Sequence, residues 1–345
     1  MIDFEKEGVA RPDQGGQRIT EEWLSSLTDQ ACRYHFRFTF PELQDLVSAL
    51  EIPDPLITST RSRFTALEAF CLLCARFRTA GDMYELTAKY DRAQSAISEV
   101  VNELVCFLDE TWEHLLDCDS GFLLHPTRLE TYADAIHARG APIRTVFGFI
   151  DCTIRRICRP SQWQRQAYNG HKKFHALKFQ AIMLPNGLFG HLYGGVEGHR
   201  NDNALLTDSG IMERLSHFAV PDDLDDDTPE ELRTFQIFGD PAYGLGPHMI
   251  SPFSGAGQRT DEEQAWNSRM SAVRIEVEHG FGIVQKLWPF LNAGWKMRLY
   301  ASPVGRYYRV GVFLANCSNC LRPNQVSQYF SCPPPSLEDY LHRNM

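Results

Sequence analysis

Residues 144–154 read RTVFGFIDCTI, residues 174–184 FHALKFQAIML and residues 188–196 LFGHLYGGV. Each stretch is dense in β-branched and aromatic residues, the composition of a pleated and packed surface. Pro185-Asn186-Gly187 joins the last two with the residue types a tight connection needs. Three strands in such close succession predict an antiparallel meander. Working outward, apolar spacing predicts a helix over Ala204–Phe218. A short strand at Thr234–Phe238 follows, ending in Gly239-Asp240-Pro241. A long helix then runs from about Asp261 to Trp288, opened by a Thr260-x-x-Glu263 capping box.

Three strands, a helix, a strand and a helix predict an α/β fold, a mixed sheet flanked by helices with an RNase H-like order. This core spans residues 141–325, and the acidic run 222–231 (DDLDDDTPEE) is read as a solvated insertion before the fourth strand. Residues 326–345 are read as a C-terminal tail.

Residues 1–140 read as an all-helical region. Phe64–Phe77 and Ala96–Trp112 carry apolar residues at three- and four-residue spacing, with Thr65 and Ser95 placed to open helices. Within it, about 82–108, Met83–Leu104 (MYELTAKYDRAQSAISEVVNEL) has a polar break at Asp91–Ala93 followed by a helix whose apolar face is Ile97, Val100, Val101 and Leu104. That is how a helix-turn-helix looks in sequence, its second helix being the one that enters a major groove. On that reading Arg92, Gln94, Ser95 and Ser98 meet DNA. The stretch resembles the FGxSxSTVSR pattern of such modules, with Asp91 where a turn glycine is usual and Glu99 where a basic residue is usual. Two roles stay open for the second helix, DNA contact and plain packing.

Composition sets the outer bounds. The chain has 345 residues, 43% of them hydrophobic and 23% charged, which is ordinary for a globular protein and too polar for a membrane one. Met1–Arg18 is polar, unlike a secretory leader, and ten cysteines at scattered spacings fit reduced thiols, so the expectation is an intracellular protein. Cys71-x-x-Cys74 and Cys317-x-x-Cys320 lack the paired ligands of a zinc site. The net charge of −10 disfavours a polyanionic partner overall, but residues 151–180 carry seven Lys and Arg against Asp151 alone. Arg155, Arg156, Lys172 and Lys173 are therefore candidate phosphate contacts, with solubilising roles as the alternative.

Asp151 follows Val146–Ile150, and Asp240 follows Phe235–Gly239. Both carboxylates thus stand at strand ends, where they converge at one edge of a sheet. The long helix offers Glu276 and Glu278, which point to nearly opposite sides, so only one of them faces the aspartates. Arg274 shares a face with Glu278, four residues on, and reads as an orienting partner. Three gathered carboxylates repel one another unless a cation joins them, and they are the hard oxygen ligands that Mg²⁺ or Mn²⁺ prefers. Two such ions perform phosphoryl transfer. Taken alone, Asp240 is a good turn residue, and Asp202 a good cap for a helix beginning near Asn203. Trp163 and Trp288 read as core or interface residues.

Gly148-Phe-Ile-Asp151-Cys-Thr153, Tyr168-Asn-Gly170-His-Lys-Lys173-Phe-His175, His199-Arg-Asn-Asp202, Gly239-Asp240-Pro-Ala-Tyr243-Gly244 and Arg274-Ile-Glu-Val-Glu278-His-Gly-Phe281-Gly282 resemble, in order, the blocks of Harbinger-type DDE transposases and their nuclease relatives. The resemblance covers roughly residues 145–320, with Cys152 replacing the glycine common after the first aspartate. It implies Asp151, Asp240 and Glu278 as catalytic, metal-binding carboxylates, with Glu278 preferred to Glu276. It also implies two divalent ions, double-stranded DNA as partner, a separate Myb-like DNA-binding protein, a homo-oligomer when active, and nuclear location. Two other classes compete. A domesticated DNA-binding protein keeps the fold without transposition, and a carboxylate-metal hydrolase of small molecules needs a closed pocket in place of an open basic groove.

Overall fold

The computed structural model describes residues 16–221, 227, 229, 232–255, 257 and 259–342; the side chains of residues 276–278 lie outside that description. The acidic run 222–231 is also outside it, Asp227 and Pro229 apart. The chain divides into two compact units, one ending at Leu104 and the other beginning at Val105.

In the first unit, threonines start four helices. Thr20, Thr28, Thr39 and Thr65 cap α1 (Glu21–Ser26), α2 (Asp29–Phe36), α3 (Phe40–Ala49) and, after a two-strand hairpin of β1 (Leu56–Ile57) and β2 (Arg63–Phe64), α4 (Ala66–Arg78). Each hydroxyl accepts one of the backbone N–H groups that a helix start leaves unpaired. Phe64, expected at the head of a helix, instead belongs to the hairpin because the chain must turn before Thr65 can cap. α4 is buried from Ala66 to Phe77, the central helix of its unit.

Next come α5 (Met83–Tyr90) and α6 (Gln94–Trp112), joined by residues 91–93. Asp91 takes the left-handed backbone at φ 48°, the conformation a turn glycine would supply, which a short polar side chain tolerates. Ile97, Val100, Val101 and Leu104 are buried, as their spacing requires. The helix opens at Gln94, one residue before the expected Ser95.

The second unit is built on a mixed sheet. After α7 (Pro126–Ala138) come β3 (Val146–Arg156), a one-turn helix α8 (Gln164–Ala167), β4 (Tyr168–Asn169), β5 (Phe174–Met183) and β6 (Phe189–Glu197). Next are α9 (Asp202–Asp208), α10 (Ile211–Phe218), β7 (Gln236–Phe238), β8 (Met249–Ile250), α11 (Asp261–Leu287), α12 (Val304–Leu321), α13 (Gln325–Phe330) and α14 (Leu337–His342). β3, β5 and β6 form the expected antiparallel meander, and β7 then β8 add in parallel on the other side of β3. The strands read β6-β5-β3-β7-β8 across the sheet, with β4 a short addition to β5.

Two expectations need correction. The single helix over 204–218 is two, because Gly210 takes φ 62° and breaks the ladder after Ser209. The region read as a tail carries two helices whose Val326, Phe330, Tyr340 and Leu341 are buried.

Helix α12 holds the β5–β6 hairpin by side-chain amides. Asn316 accepts from the Phe189 N–H and donates to its carbonyl, while Asn319 donates to the Asn186 carbonyl. The Pro-Asn-Gly turn is consequently inside the protein, Asn186 being 1% exposed. Trp288 is fully buried and donates to the Gly311 carbonyl, whereas Trp163 is 65% exposed.

His191 on β6 is buried, its Nδ1 3.3 Å from Cys118 Sγ and its Nε2 without a partner. Burial holds the imidazole down to about 4 from its ordinary 6.5. The folded value lies below the unfolded one, so this contribution to stability is whole above pH 6.5 and lost as pH falls through about 4. His191→Leu should therefore flatten the acid limb of a stability–pH curve by about 3 kcal/mol. Urea titrations of both proteins from pH 7 to pH 4 check this; parallel curves would show that His191 does not titrate as its burial demands.

Candidate active site

The register of the sheet brings two carboxylates together. Phe149 on β3 pairs in parallel with Phe238 on β7, and Asp151 and Asp240 each lie two residues further along. Neighbouring strands run about 4.8 Å apart, and a two-residue step returns to the same face. Asp151 Oδ1 accepts from the Cys152 N–H at 2.8 Å, and Asp240 Oδ1 accepts from the Ala242 N–H at 2.9 Å, capping a short 3₁₀ turn at Pro241–Tyr243. Turn-making and display of a carboxylate therefore coincide in Asp240.

Helix α11 opens with the expected Thr260–Glu263 capping box and packs against β3. Its Arg274 places Nη2 3.3 Å from Asp151 Oδ2. Glu278 is one helical turn beyond Arg274. Its side chain, and that of Glu276, lie outside the described residues. Among the described residues no group of three His, Cys, Asp or Glu side chains is placed to hold a metal ion.

Burial raises the Asp151 carboxyl above the usual carboxylate range; the Arg274 guanidinium partly counters this, while Asp240 and Asp202 push it further up.

The opposite face of the same strands carries a polar network. Cys152 pairs across the ladder with Gln180, and Ile154 with Lys178, so Cys152, Gln180 and Lys178 share a face. Tyr243 Oη lies 3.2 Å from Cys152 Sγ and accepts from Gln180 Nε2 at 3.3 Å. Lys178 Nζ donates to the Arg200 carbonyl at 2.9 Å and is ion-paired with Asp202. Asp202 is thus not the cap of α9. Asn201, the extended residue before the helix, caps it by accepting from the Ala204 N–H at 2.7 Å, while Asp202 is engaged by Lys178. The sequence signal for this network was Lys178 and Gln180 two apart in an otherwise apolar strand.

The glycine of Gly239-Asp240 is explained by this network. A Cβ there would stand 2.5 Å from the Tyr243 ring and 2.9 Å from Ile150 Cγ2. Gly239→Ala is expected to cost about 1–3 kcal/mol by overpacking. Chemical denaturation measures it, and an unchanged midpoint would mean that the Tyr243 ring is free to withdraw.

The candidate DNA contacts fall into two sets. Arg156, Lys172 and Lys173 are exposed. Arg155 is buried, bonded to Thr153 and to Asn292, with its guanidinium 4.7 Å above the Tyr308 ring. In the first unit, Gln94 and Ser95 are exposed and Ser98 is half-buried. Arg92 is turned inward, its Nε 2.7 Å from Glu68 Oε1 and its guanidinium 4.2 Å over the Phe64 ring. Glu99, in the place of a usual basic residue, accepts from Ser59 and Thr60 of the β1–β2 turn, which lowers its carboxyl to about 2. Its acidity secures the hairpin to α6.

Fold and site together define a mixed α/β protein in which Asp151, midway along β3, and Asp240, just past the end of the parallel strand β7, lie beside a long helix. The sequence model of the DDE superfamily endonuclease family matches residues 150–316, a little under half of the chain, from within β3 into α12. No curated protein and no solved structure matches the chain.

Proposed function

We propose that the chain is a metal-dependent DNA endonuclease of the Harbinger transposase group, cutting and joining duplex DNA at Asp151, Asp240 and Glu278 on an RNase H-like core. What supports this reading is the parallel β3–β7 register, which pairs Phe149 with Phe238 two residues before each aspartate, with α11 packed on β3. The family match over residues 150–316 supports it.

The residues fit divalent cations. Asp151 and Asp240 are hard oxygen donors, and burial, helped by the nearby Asp240 and Asp202, raises the Asp151 carboxyl, a cost to its charged form that a bound cation would offset. Asp151, Asp240 and Glu278 would hold two Mg²⁺ or Mn²⁺ ions, which when bound acidify the attacking oxygen and stabilise the leaving one. Arg274 orients Asp151 through Oδ2. Arg156, Lys172 and Lys173 hold phosphates and so position the duplex without reading its sequence. Gln94, Ser95 and Ser98, at the exposed start of α6, enter a major groove as a helix-turn-helix. Arg92 and Arg155 keep structural bonds within their own units. A Myb-like protein, a second copy of the chain and nuclear location complete the reading.

A second reading is favoured by one contact. Arg274 already pairs with Asp151 at 3.3 Å, a cationic partner in the place of a metal ion, which suits a transposase-derived DNA-binding protein that no longer loads metal. Nicking of a labelled duplex in Mg²⁺ or Mn²⁺, compared with chelator, separates the two. Cutting supports the enzyme; binding without cutting, even with candidate Myb-like partners added, favours the binding protein.

A further inference from the structure

The β3–β5 ribbon runs past Asp151 as far as Arg156, which pairs with Ala176, an extension of roughly 17 Å at 3.3 Å per residue. At its far end two loops are tied together. The Cys158 N–H donates to the Met297 carbonyl at 2.9 Å, and Cys158 Sγ donates to the Trp295 carbonyl at 3.0 Å. Arg159 Nε donates to Gln164 Oε1 at 2.8 Å, closing the loop that carries Trp163.

Three large aromatic side chains stand out into solvent on these loops: Trp163 at 65%, Trp295 at 66% and Tyr300 at 69% exposed. Such rings are ordinarily covered. Two of them are held outward at a conformational cost, since Trp163 and Tyr300 take left-handed backbone at φ 55° and 67°, which bulky side chains avoid. Around them Arg156, Arg159, Arg165, Lys172, Lys173 and Arg298 are all exposed. Residues 152–173 and 294–300 contain no Asp or Glu. In a chain of net charge −10 this is a local reversal of sign.

Exposed rings interleaved with cations and free of carboxylates suit one kind of partner. A duplex hides its base faces in the stack and offers phosphates and groove edges, whereas unpaired nucleotides offer a π-face and a phosphate at each step. We propose that the loops 158–173 and 294–300 form a stacking platform for unpaired nucleotides of a DNA strand. It rests on the reading of the chain as a DNA-cutting enzyme and deepens it, assigning the flank of the substrate an opened, single-stranded form about 20 Å from Asp151.

The test is fluorescence anisotropy of the full chain with a labelled oligo(dT) strand and with a blunt duplex, both in EDTA so that no cutting occurs. Trp163→Ala and Trp295→Ala are each expected to weaken single-strand binding roughly 5- to 150-fold, and to leave duplex binding within about threefold. Trp→Phe at either position should retain most of the affinity, and the tryptophan emission of the native chain should be quenched by the strand. Both rings are exposed, so thermal melting of each Ala variant should match the native chain. The platform is overturned if both Ala variants bind the strand like the native chain. It is also overturned if a matched RNA strand competes more than tenfold better, or if the variants only convert a dimer to a monomer. Because binding is read without metal, a chain that never cuts but loses single-strand binding on Trp→Ala refutes the enzyme and keeps the platform. A chain that cuts normally with both rings removed does the reverse.

Discussion

Asp151→Asn, Asp240→Asn and Glu278→Gln are each expected to reduce metal-dependent cleavage of a labelled duplex by about 1000-fold or more, with Glu276→Gln within about threefold of native. The magnitude follows from losing one charged oxygen ligand at a site asked to supply several kcal/mol, at 1.36 kcal/mol per tenfold. Amide replacements keep shape, so Asn at 151 still accepts from the Cys152 N–H and Asn at 240 still caps Pro241–Tyr243. The loss is then one of charge and not of fold, which circular dichroism and melting would verify. Glu276 is the discriminating control. Two residues along a helix is a turn of about 200°, so positions 276 and 278 cannot both face the two aspartates. If Glu276→Gln is the variant that fails and Glu278→Gln cuts normally, the third carboxylate has been assigned to the wrong helix face. If duplex is bound but never cut by the native chain, the carboxylates serve a binding protein.

Much of the sheet was legible because its strands obey simple rules. β3, β5 and β6 lie within two residues of the stretches marked by β-branched and aromatic density, and α11 starts at the capping box that announces it. What escaped depended on tertiary context. β8 is two residues, Met249 and Ile250, and no periodicity exists at that length. The helices at 325–330 and 337–342 are one or two turns long and are stable only because Val326, Phe330 and Tyr340 find a core. At the site, the apolar run before Asp240 located it just past β7, whereas Asp151, expected at a strand end, lies midway along β3, because that strand continues in register with β5 as far as Arg156. Arg155 and Arg92 could not be placed, since a cation in a basic stretch looks the same in sequence whether it faces solvent or stacks on Tyr308 or Phe64. Asn201 and Asp202 are both good caps, and only Lys178 beneath the second of them decides which one caps.

That lysine carries the second large effect. Lys178 sits in the middle of β5, 7% exposed, and its ammonium has the Arg200 carbonyl and the Asp202 carboxylate as acceptors. Asp202→Ala is expected to cost about 3–5 kcal/mol, because it leaves a buried charge with one neutral acceptor. Lys178→Met should cost less, about 1 kcal/mol, since the side chain of Asp202 is 22% exposed and keeps access to water. Combining the two should recover part of the loss, a coupling of about 1–3 kcal/mol of the kind that close partners show. Urea denaturation of the four proteins at pH 7 reads all three terms. Additive costs would mean that Lys178 finds other solvation once Asp202 is gone. The consequence reaches the acidic edge itself, because Asp202 is one of the charges that raise Asp151. Lys178 therefore anchors a further carboxylate whose charge is felt at Asp151.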